Sequence, residues 1–272
     1  MSFNNINDCE YYENADLSKY TTIRLKKTGN ICKVFSVDAL KKVKEIALKN
    51  NLQIHMVGWG ANQIIKETDN KLFIKLDFPF DREYLKSPRD EYELPASIGL
   101  NVLQSHAQKH GLKGWEVFTG VPASLGGAIV MNAGTSLGEI GEVVKSVKVL
   151  KSNNDILEIE IDNNSFEYRR NNFLQNGDII IGATLIHQGL DPKISKKIKE
   201  YMELRKKTQP LRSFNCGCVF KNYSTNHRAG QFIDTLGLKE FTYNSLKISP
   251  VHANFVEHQG NATSEDCEYF LN

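Results

Sequence analysis

The chain has 272 residues, of which 40% are hydrophobic and 24% charged, and its formal net charge is +2. That length supports one large or two to three small domains and buries enough surface to fold without staples. Near-neutral charge excludes the electrostatic footprint of a nucleic-acid or acidic-membrane binder, and 5 scattered cysteines exclude a disulfide scaffold.

In chain order, the segment up to Asn14 is polar and acidic, without the apolar core of a signal peptide. Ile31–Val37 reads as a strand. Asp38 is the candidate N-cap of a helix with Leu40, Val43, Ile46 and Ala47 on its apolar face and Lys41, Lys42 and Lys44 outside. Gln53–Val57 is a short strand running into a glycine loop, and Lys71–Leu76 is another strand. The polar stretch Asp81–Glu93 marks a boundary. Leu100, Leu103, His106, Ala107 and His110 then define a helix face closed by Gly111, a C-cap residue.

The densest glycine segment, residues 118–134, follows. Val143–Leu150, Ile156–Ile161 and Ile179–His187 predict an antiparallel meander with an Asn153-Asn154 turn. A charged helix spans Pro192–Lys207, a loop spans Arg212–Val219, Ala229–Leu236 is helical and Ala253–Glu257 is a strand. Thr263 is placed to cap a last helix. The longest apolar stretch, Ile179–Ile186, is far short of the roughly 20 residues of a membrane-spanning helix, so a reduced, cytoplasmic protein is the expectation.

Four segments carry candidate chemistry. Gly58-Trp59-Gly60-Ala61-Asn62 follows a strand but lacks the third glycine and the long helix of a dinucleotide fingerprint, and no phosphate-binding G-x-x-x-x-G-K-[ST] loop is present. In the second segment, Gly120, Gly126, Gly127 and Gly134 permit close backbone approach to a ligand, with N–H groups cradling a pyrophosphate; tight buried packing is the alternative. Tyr168-Arg169-Arg170 offers a guanidinium for a bidentate carboxylate contact, or a merely solvated edge. Fourth, Cys216-Gly217-Cys218 has no second Cys or His cluster near it to make a metal site. A thiol there is either buried and inert or a general acid beside a developing carbanion. His252 reads as structural.

These segments recur in one order: Thr22-Ile-Arg24, Gly58-x-Gly-x-Asn62, residues 120–128 with Met131-Asn-Ala-Gly134, Gly138-Glu-Ile140, Phe166-x-Tyr-Arg169, Gln209-Pro210, Gly217-Cys-Val-Phe-Lys-Asn222, Ala229-Gly230, Gly237-Leu-Lys239, His252-Ala-Asn-Phe255 and Asn261-Ala-Thr263. Colinear over almost the whole chain, the set resembles the UDP-N-acetylenolpyruvoylglucosamine reductase family of peptidoglycan precursor synthesis.

The resemblance implies an α+β chain: a two-subdomain FAD-binding fold of the vanillyl-alcohol-oxidase (PCMH) type over residues 1–78 and 79–190, and an α+β substrate domain over 191–272. It implies that FAD is reduced by NADPH, and that UDP-N-acetylglucosamine enolpyruvate is then reduced at its vinyl group. Arg169 matches the carboxylate-binding arginine, which would stabilise the negative charge developing after hydride addition. Cys218 matches the Ser or Cys that gives the proton to C2. Tyr168, Lys221 and Asn222 match substrate positions. Gly58, Trp59, Gly60, Ala61, Asn62, Gly120, Val121, Pro122, Ala123, Ser124, Gly126, Gly127, Asn132, Ala133 and Gly134 match the FAD lining. No metal, membrane, nucleic-acid or obligate protein partner is implied.

Trp59 and Ala123 stand where the family usually has glycine, and Asn171 where it has serine. The family also continues into a strand pair bearing a glutamate near the substrate carboxylate, whereas this chain ends at Asn272, inside the preceding helix. The alternatives are therefore a flavin- or UDP-sugar-binding homologue with reduced turnover, and a flavin oxidoreductase with another substrate.

Overall fold

In the computed structural model, which describes residues 2–224 and 226–272, the first strand is one that the hydrophobic pattern does not announce. β1 (Cys9–Asp16) has no fully buried position because it is an edge strand. It pairs antiparallel with β2 (Thr28–Val34), with a register shift between Tyr12 and Ala15. The helix α1 (Val37–Lys49) follows β2, then β3 (Gln53–Met56) and β4 (Lys71–Leu76). β4 lies between β2 and β3, parallel to both, giving the order β1-β2-β4-β3.

Three expectations are corrected here. The strand ends at Val34, and Ser36 rather than Asp38 caps α1, its Oγ accepting from the Ala39 amide at 3.2 Å. Asp38 sits in the first turn, where an acid favours the helix dipole. Lys44 is not outside: it is buried, and its ammonium donates to the Lys151 carbonyl at 2.6 Å, fastening α1 to the second sheet. Burial pulls its pKa down.

The unit built on that second sheet comprises β5 (Glu91–Pro95), α2 (Leu100–His110) and α3 (Leu125–Val130), the separate short pair β6 (Gly134–Thr135) and β7 (Gly138–Glu139), then β8 (Val144–Leu150) and β9 (Ile156–Glu160). A hairpin of β10 (Phe166–Glu167) and β11 (Arg170–Asn171) precedes β12 (Ile179–Ile186). The order is β5-β12-β8-β9, all antiparallel. It is therefore not a simple meander: β12 returns to the far side of β8. Seven of the eight β12 residues are buried because both its faces are covered. Ile180, Ala183 and Leu185 face the core with α2 and α3, whereas Ile179 and Ile181 face the core of the first sheet and α1. One strand thus joins two cores.

Helix α4 (Ile194–Thr208) crosses back over the second unit. The remainder holds α5 (Ala229–Thr235), β13 (Thr242–Tyr243), β14 (Leu246–Ile248), β15 (Val256–His258) and α6 (Ser264–Leu271). The strand expected over Ala253–Glu257 starts only at Val256. Thr263 caps α6 in a capping box with Asp266. A small core of Cys216, Leu246, Val256, Ala262 and Cys267 closes on Ile23 and Leu25 from the N-terminal unit.

Candidate active site

The Thr22-Ile-Arg24 segment ties the site together. The Thr22 amide donates to the Gly60 carbonyl at 3.1 Å, and its hydroxyl donates to the Asn215 carbonyl at 2.7 Å. The Asn62 side chain donates to the carbonyls of Cys216 (2.9 Å) and Cys218 (3.3 Å). The glycine loop after β3 and the cysteine loop are therefore held as one surface. From the other side, Asn254 clamps Phe220, accepting from its amide at 2.9 Å and donating to its carbonyl at 2.8 Å. Phe255 pairs with Cys218 in an isolated bridge.

The glycines divide into two kinds. Gly60 is buried at φ +63°, and a Cβ there would lie 2.1 Å from the Tyr20 carbonyl oxygen, so only glycine fits against that backbone. A Cβ on Gly126 would meet the Ala96 Cβ at 2.9 Å, which is helix-to-sheet packing. Gly127 is exposed, and a Cβ there would meet only the Ser124 hydroxyl, at 3.3 Å. Gly58 faces the same Ser124 hydroxyl. Gly58 and Gly127 therefore bring backbone from two units to one open groove, whereas Gly60 and Gly126 serve packing.

The expected cradle of successive free N–H groups is not found, and the Gly127 amide itself donates to the Ser124 hydroxyl at 3.4 Å. The Gly120 amide donates to Gln104, and those of Val121, Ala123, Leu125 and Gly126 donate to backbone carbonyls. Pro122 is exposed and Ala61 half-buried. Ala123 does not adopt positive φ, so its replacement of glycine is mild. Trp59 turns its ring against Gly99, where a Cβ would approach within 2.4 Å. With Phe78 and Phe80 it lines a slot of about 260 Å³ beside the groove. Asp77 and Arg82 line the same solvent-open cleft. The bare backbone at Gly58 and Gly127, where a Cβ would intrude, fits the close approach of a flavin dinucleotide.

Arg169 lies at the second corner of the tight β10–β11 turn, at φ +57°, a conformation that ordinarily favours glycine or asparagine. Three contacts hold it there: Nη1 donates to Glu139 Oε1 and to the Asn132 carbonyl, both at 3.0 Å, and Nη2 donates to the Gly134 carbonyl at 2.8 Å. Asn132 is itself buried. Its amide donates to Glu139 (2.6 Å) and the Glu167 carbonyl (3.0 Å), and its oxygen accepts from the Gly141 amide at 3.1 Å. The side chain of Asn132, expected to line the cofactor, instead helps frame Arg169 through Glu139, as does the Gly134 carbonyl at the start of β6. Tyr168 is exposed, with the guanidinium 4.9 Å from its ring centroid. Lys221 donates to the Arg169 carbonyl at 3.3 Å. Asn222 accepts from the Ala229 amide at 3.1 Å and so orients α5. Asn171 bonds the Val130 carbonyl and the Leu174 amide, a structural use.

Cys216 points into the small core, and burial pushes its thiol up to about 12. Cys218 is exposed. Partial desolvation pushes its thiol above the ordinary value, against the opposing pull of Arg169 and Arg205. The Cys218 thiol therefore remains protonated at neutral pH, as an acid must before it donates. Sequence reasoning missed Glu139, Arg205 and Asn254. Glu139 and Asn254 lie inside quoted motifs that gave no hint of a partner, and Arg205 is indistinguishable by pattern from the other cations of α4. His252 accepts from the Asn254 amide at 3.2 Å. Among the described residues no cluster of His, Cys, Asp and Glu is fit to hold a metal, and no helix is long and apolar enough to cross a membrane.

Residues 30–160 match the model of an FAD binding domain, and residues 209–272 match that of the UDP-N-acetylenolpyruvoylglucosamine reductase C-terminal domain. The chain is 33% identical to the UDP-N-acetylenolpyruvoylglucosamine reductase of Orientia tsutsugamushi, over 95% of this chain and 86% of the relative. It is 31% identical to that of Latilactobacillus sakei, over 93% and 83%. The crystal structure of the enzyme from Thermus caldophilus superposes with a TM-score of 0.82 at 27% identity, covering 97% of this chain and 92% of that one. The colinear motifs, the fold and these similarities agree: the chain belongs to the UDP-N-acetylenolpyruvoylglucosamine reductase family.

Proposed function

We propose that this chain is an FAD-dependent oxidoreductase that uses NADPH to reduce the enolpyruvyl group of UDP-N-acetylglucosamine enolpyruvate to a lactyl ether, with Cys218 as proton donor and Arg169 as carboxylate ligand. Residues 1–78 and 79–190 form the two halves of the FAD site, residues 191–272 form the substrate unit, and the cytoplasm is the place of action. FAD, held by the groove at Gly58 and Gly127 and the slot at Trp59, supplies the hydride-transfer chemistry when bound. The chain's own residues do the rest. Arg169, preset by Glu139, meets the carboxylate without reorganising, and its charge gains most when negative charge has developed there. Cys218 gives its proton to the carbon left as a carbanion, and the two arginines favour the thiolate that remains. Lys221, joined to the Arg169 backbone, extends the cationic edge towards a diphosphate.

The observation that carries this reading is the exposed Cys218 thiol on a loop pinned by Asn62 and Phe255, together with the Arg169 guanidinium preset by Glu139, Asn132 and Gly134. Purified protein is expected to take up FAD, turn yellow and consume NADPH faster when the enolpyruvyl sugar is added. Protein that binds no FAD, or NADPH consumption indifferent to the sugar, contradicts it.

A further inference from the structure

All the cysteines are free thiols; Cys216 and Cys267 are shut in the small C-terminal core and Cys218 is exposed. The other two, Cys9 and Cys32, form a pair. β1 and β2 run antiparallel with Cys9 opposite Val34 and Tyr11 opposite Cys32. The Phe35 amide donates to the Asp8 carbonyl at 2.9 Å, while the Val34 carbonyl turns away to accept from the Asp77 amide at 2.9 Å. Cys9–Val34 and Tyr11–Cys32 are therefore non-hydrogen-bonded pairs, the positions of an antiparallel ladder where facing side chains come closest. Cys9 and Cys32 are diagonal neighbours across these pairs, on one face of the sheet and in the core shared with α1.

Their side chains touch. The Cys32 thiol donates a hydrogen bond to the Cys9 sulfur, which draws the Cys9 pKa below its ordinary value against burial and the Glu10 charge, and raises that of Cys32. Cys32 has no accessible surface whereas Cys9 is half-buried, so a small reagent from solvent reaches Cys9 first. An accessible sulfur with thiolate character, backed by a buried thiol, is the arrangement of an attacking and a resolving cysteine. β1 is an edge strand, bonded on one side only and shifted in register between Tyr12 and Ala15. It is free to make the small displacement that closing an S–S bond of about 2.0 Å requires.

We propose that Cys9 and Cys32 are a redox-modification site, a dithiol that hydroperoxides convert to a disulfide between the edge strand and its neighbour, with Cys9 attacking and Cys32 resolving. The Cys9 sulfur attacks one oxygen of hydrogen peroxide. The S–O bond forms as the O–O bond breaks, the sulfur is oxidised to a sulfenic acid, and the other oxygen leaves as water with the Cys9 proton. The Cys32 sulfur then attacks the Cys9 sulfur: the S–S bond forms, the S–O bond breaks, and hydroxide leaves as water with the Cys32 proton. One peroxide and two thiols give one disulfide and two waters, and a dithiol reductant reverses the product by exchange. The link closes a loop over residues 9–32 that contains Thr22, which fastens the glycine loop to the cysteine loop.

The test exposes the FAD-loaded chain to hydrogen peroxide, alkylates the remaining thiols with N-ethylmaleimide in denaturant, and maps tryptic fragments by mass spectrometry. Cys9 lies in the fragment ending at Lys19 and Cys32 in residues 28–33. The two fragments are expected to be joined and to separate on treatment with dithiothreitol. In Cys9→Ser, loss of the Cys32 thiol is expected to slow by more than about tenfold. In Cys32→Ala, dimedone is expected to trap a sulfenic acid at Cys9.

Recovery of Cys9 and Cys32 as alkylated thiols while Cys218 is oxidised overturns the proposal. So does a Cys32 thiol that is lost as fast in Cys9→Ser as in the parent. Mapping the unaltered chain decides the first point whether or not the variants fold. The readout is a covalent bond remote from turnover, so it stands or falls separately from the reductase reading.

Discussion

Arg169 adopts a left-handed conformation that costs a non-glycine residue about 1–3 kcal/mol, and it does so where its side chain makes three hydrogen bonds. Glu139 is the keystone, since its two carboxylate oxygens divide between Arg169 and the buried Asn132. Both members of the ion pair are partly exposed, with side chains 25% and 33% accessible, so its worth is near that of a surface pair, about 0.5–1 kcal/mol. Glu139→Gln is accordingly expected to raise KM for the enolpyruvyl sugar about 2–5-fold with little change in melting temperature. An unchanged KM in steady-state assays would remove Glu139 from the account. None of this was legible in the sequence, where paired arginines after a strand look the same whether solvated or anchored. Only the fold brings Glu139 and Arg169 together across 30 residues.

At the scale of elements, glycine density was readable but glycine purpose was not. Gly126 and Gly127 are adjacent in sequence, yet one packs on Ala96 and the other opens on the groove. Gly126→Ala is expected to destabilise the fold by about 1 kcal/mol net, overpacking of about 1–3 kcal/mol being offset by about 1 kcal/mol of helix propensity. Gly127→Ala is expected to melt like the parent but to bind FAD about tenfold more weakly, or about 1.4 kcal/mol. Calorimetry and FAD titration of the pair check this, and equal behaviour of the two variants would contradict the division. Helix α2 with its Gly111 cap follows the sequence periodicity because it has one buried face, and β4 is legible as the short apolar run Leu72–Ile74, buried on both faces. β1 does not, since an edge strand with no buried residue leaves no alternation to read. The apolar run of β12 announces burial on both faces but not which strands flank it, and so the meander expectation failed.

Across the whole molecule, the site is made where segments far apart in sequence converge. Thr22 reaches Asn215, Asn62 reaches Cys216 and Cys218, Arg205 reaches Thr119, and Lys221 reaches Arg169. The motif order therefore identified the family and singled out Cys218 as a candidate, while the side chains that fix Cys218 and Arg169 in space became visible only in three dimensions. The central claim is that Cys218 donates the proton after the vinyl group is reduced. Its most direct test is stopped-flow of Cys218→Ala in the two half-reactions. Flavin reduction by NADPH is predicted to proceed as in the parent. Reoxidation by the enolpyruvyl sugar is predicted to slow by about 10²–10⁴-fold, the usual contribution of general acid catalysis, and Cys218→Ser to recover much of that loss. Equal slowing of both half-reactions, or reoxidation at the parent rate, would contradict the account.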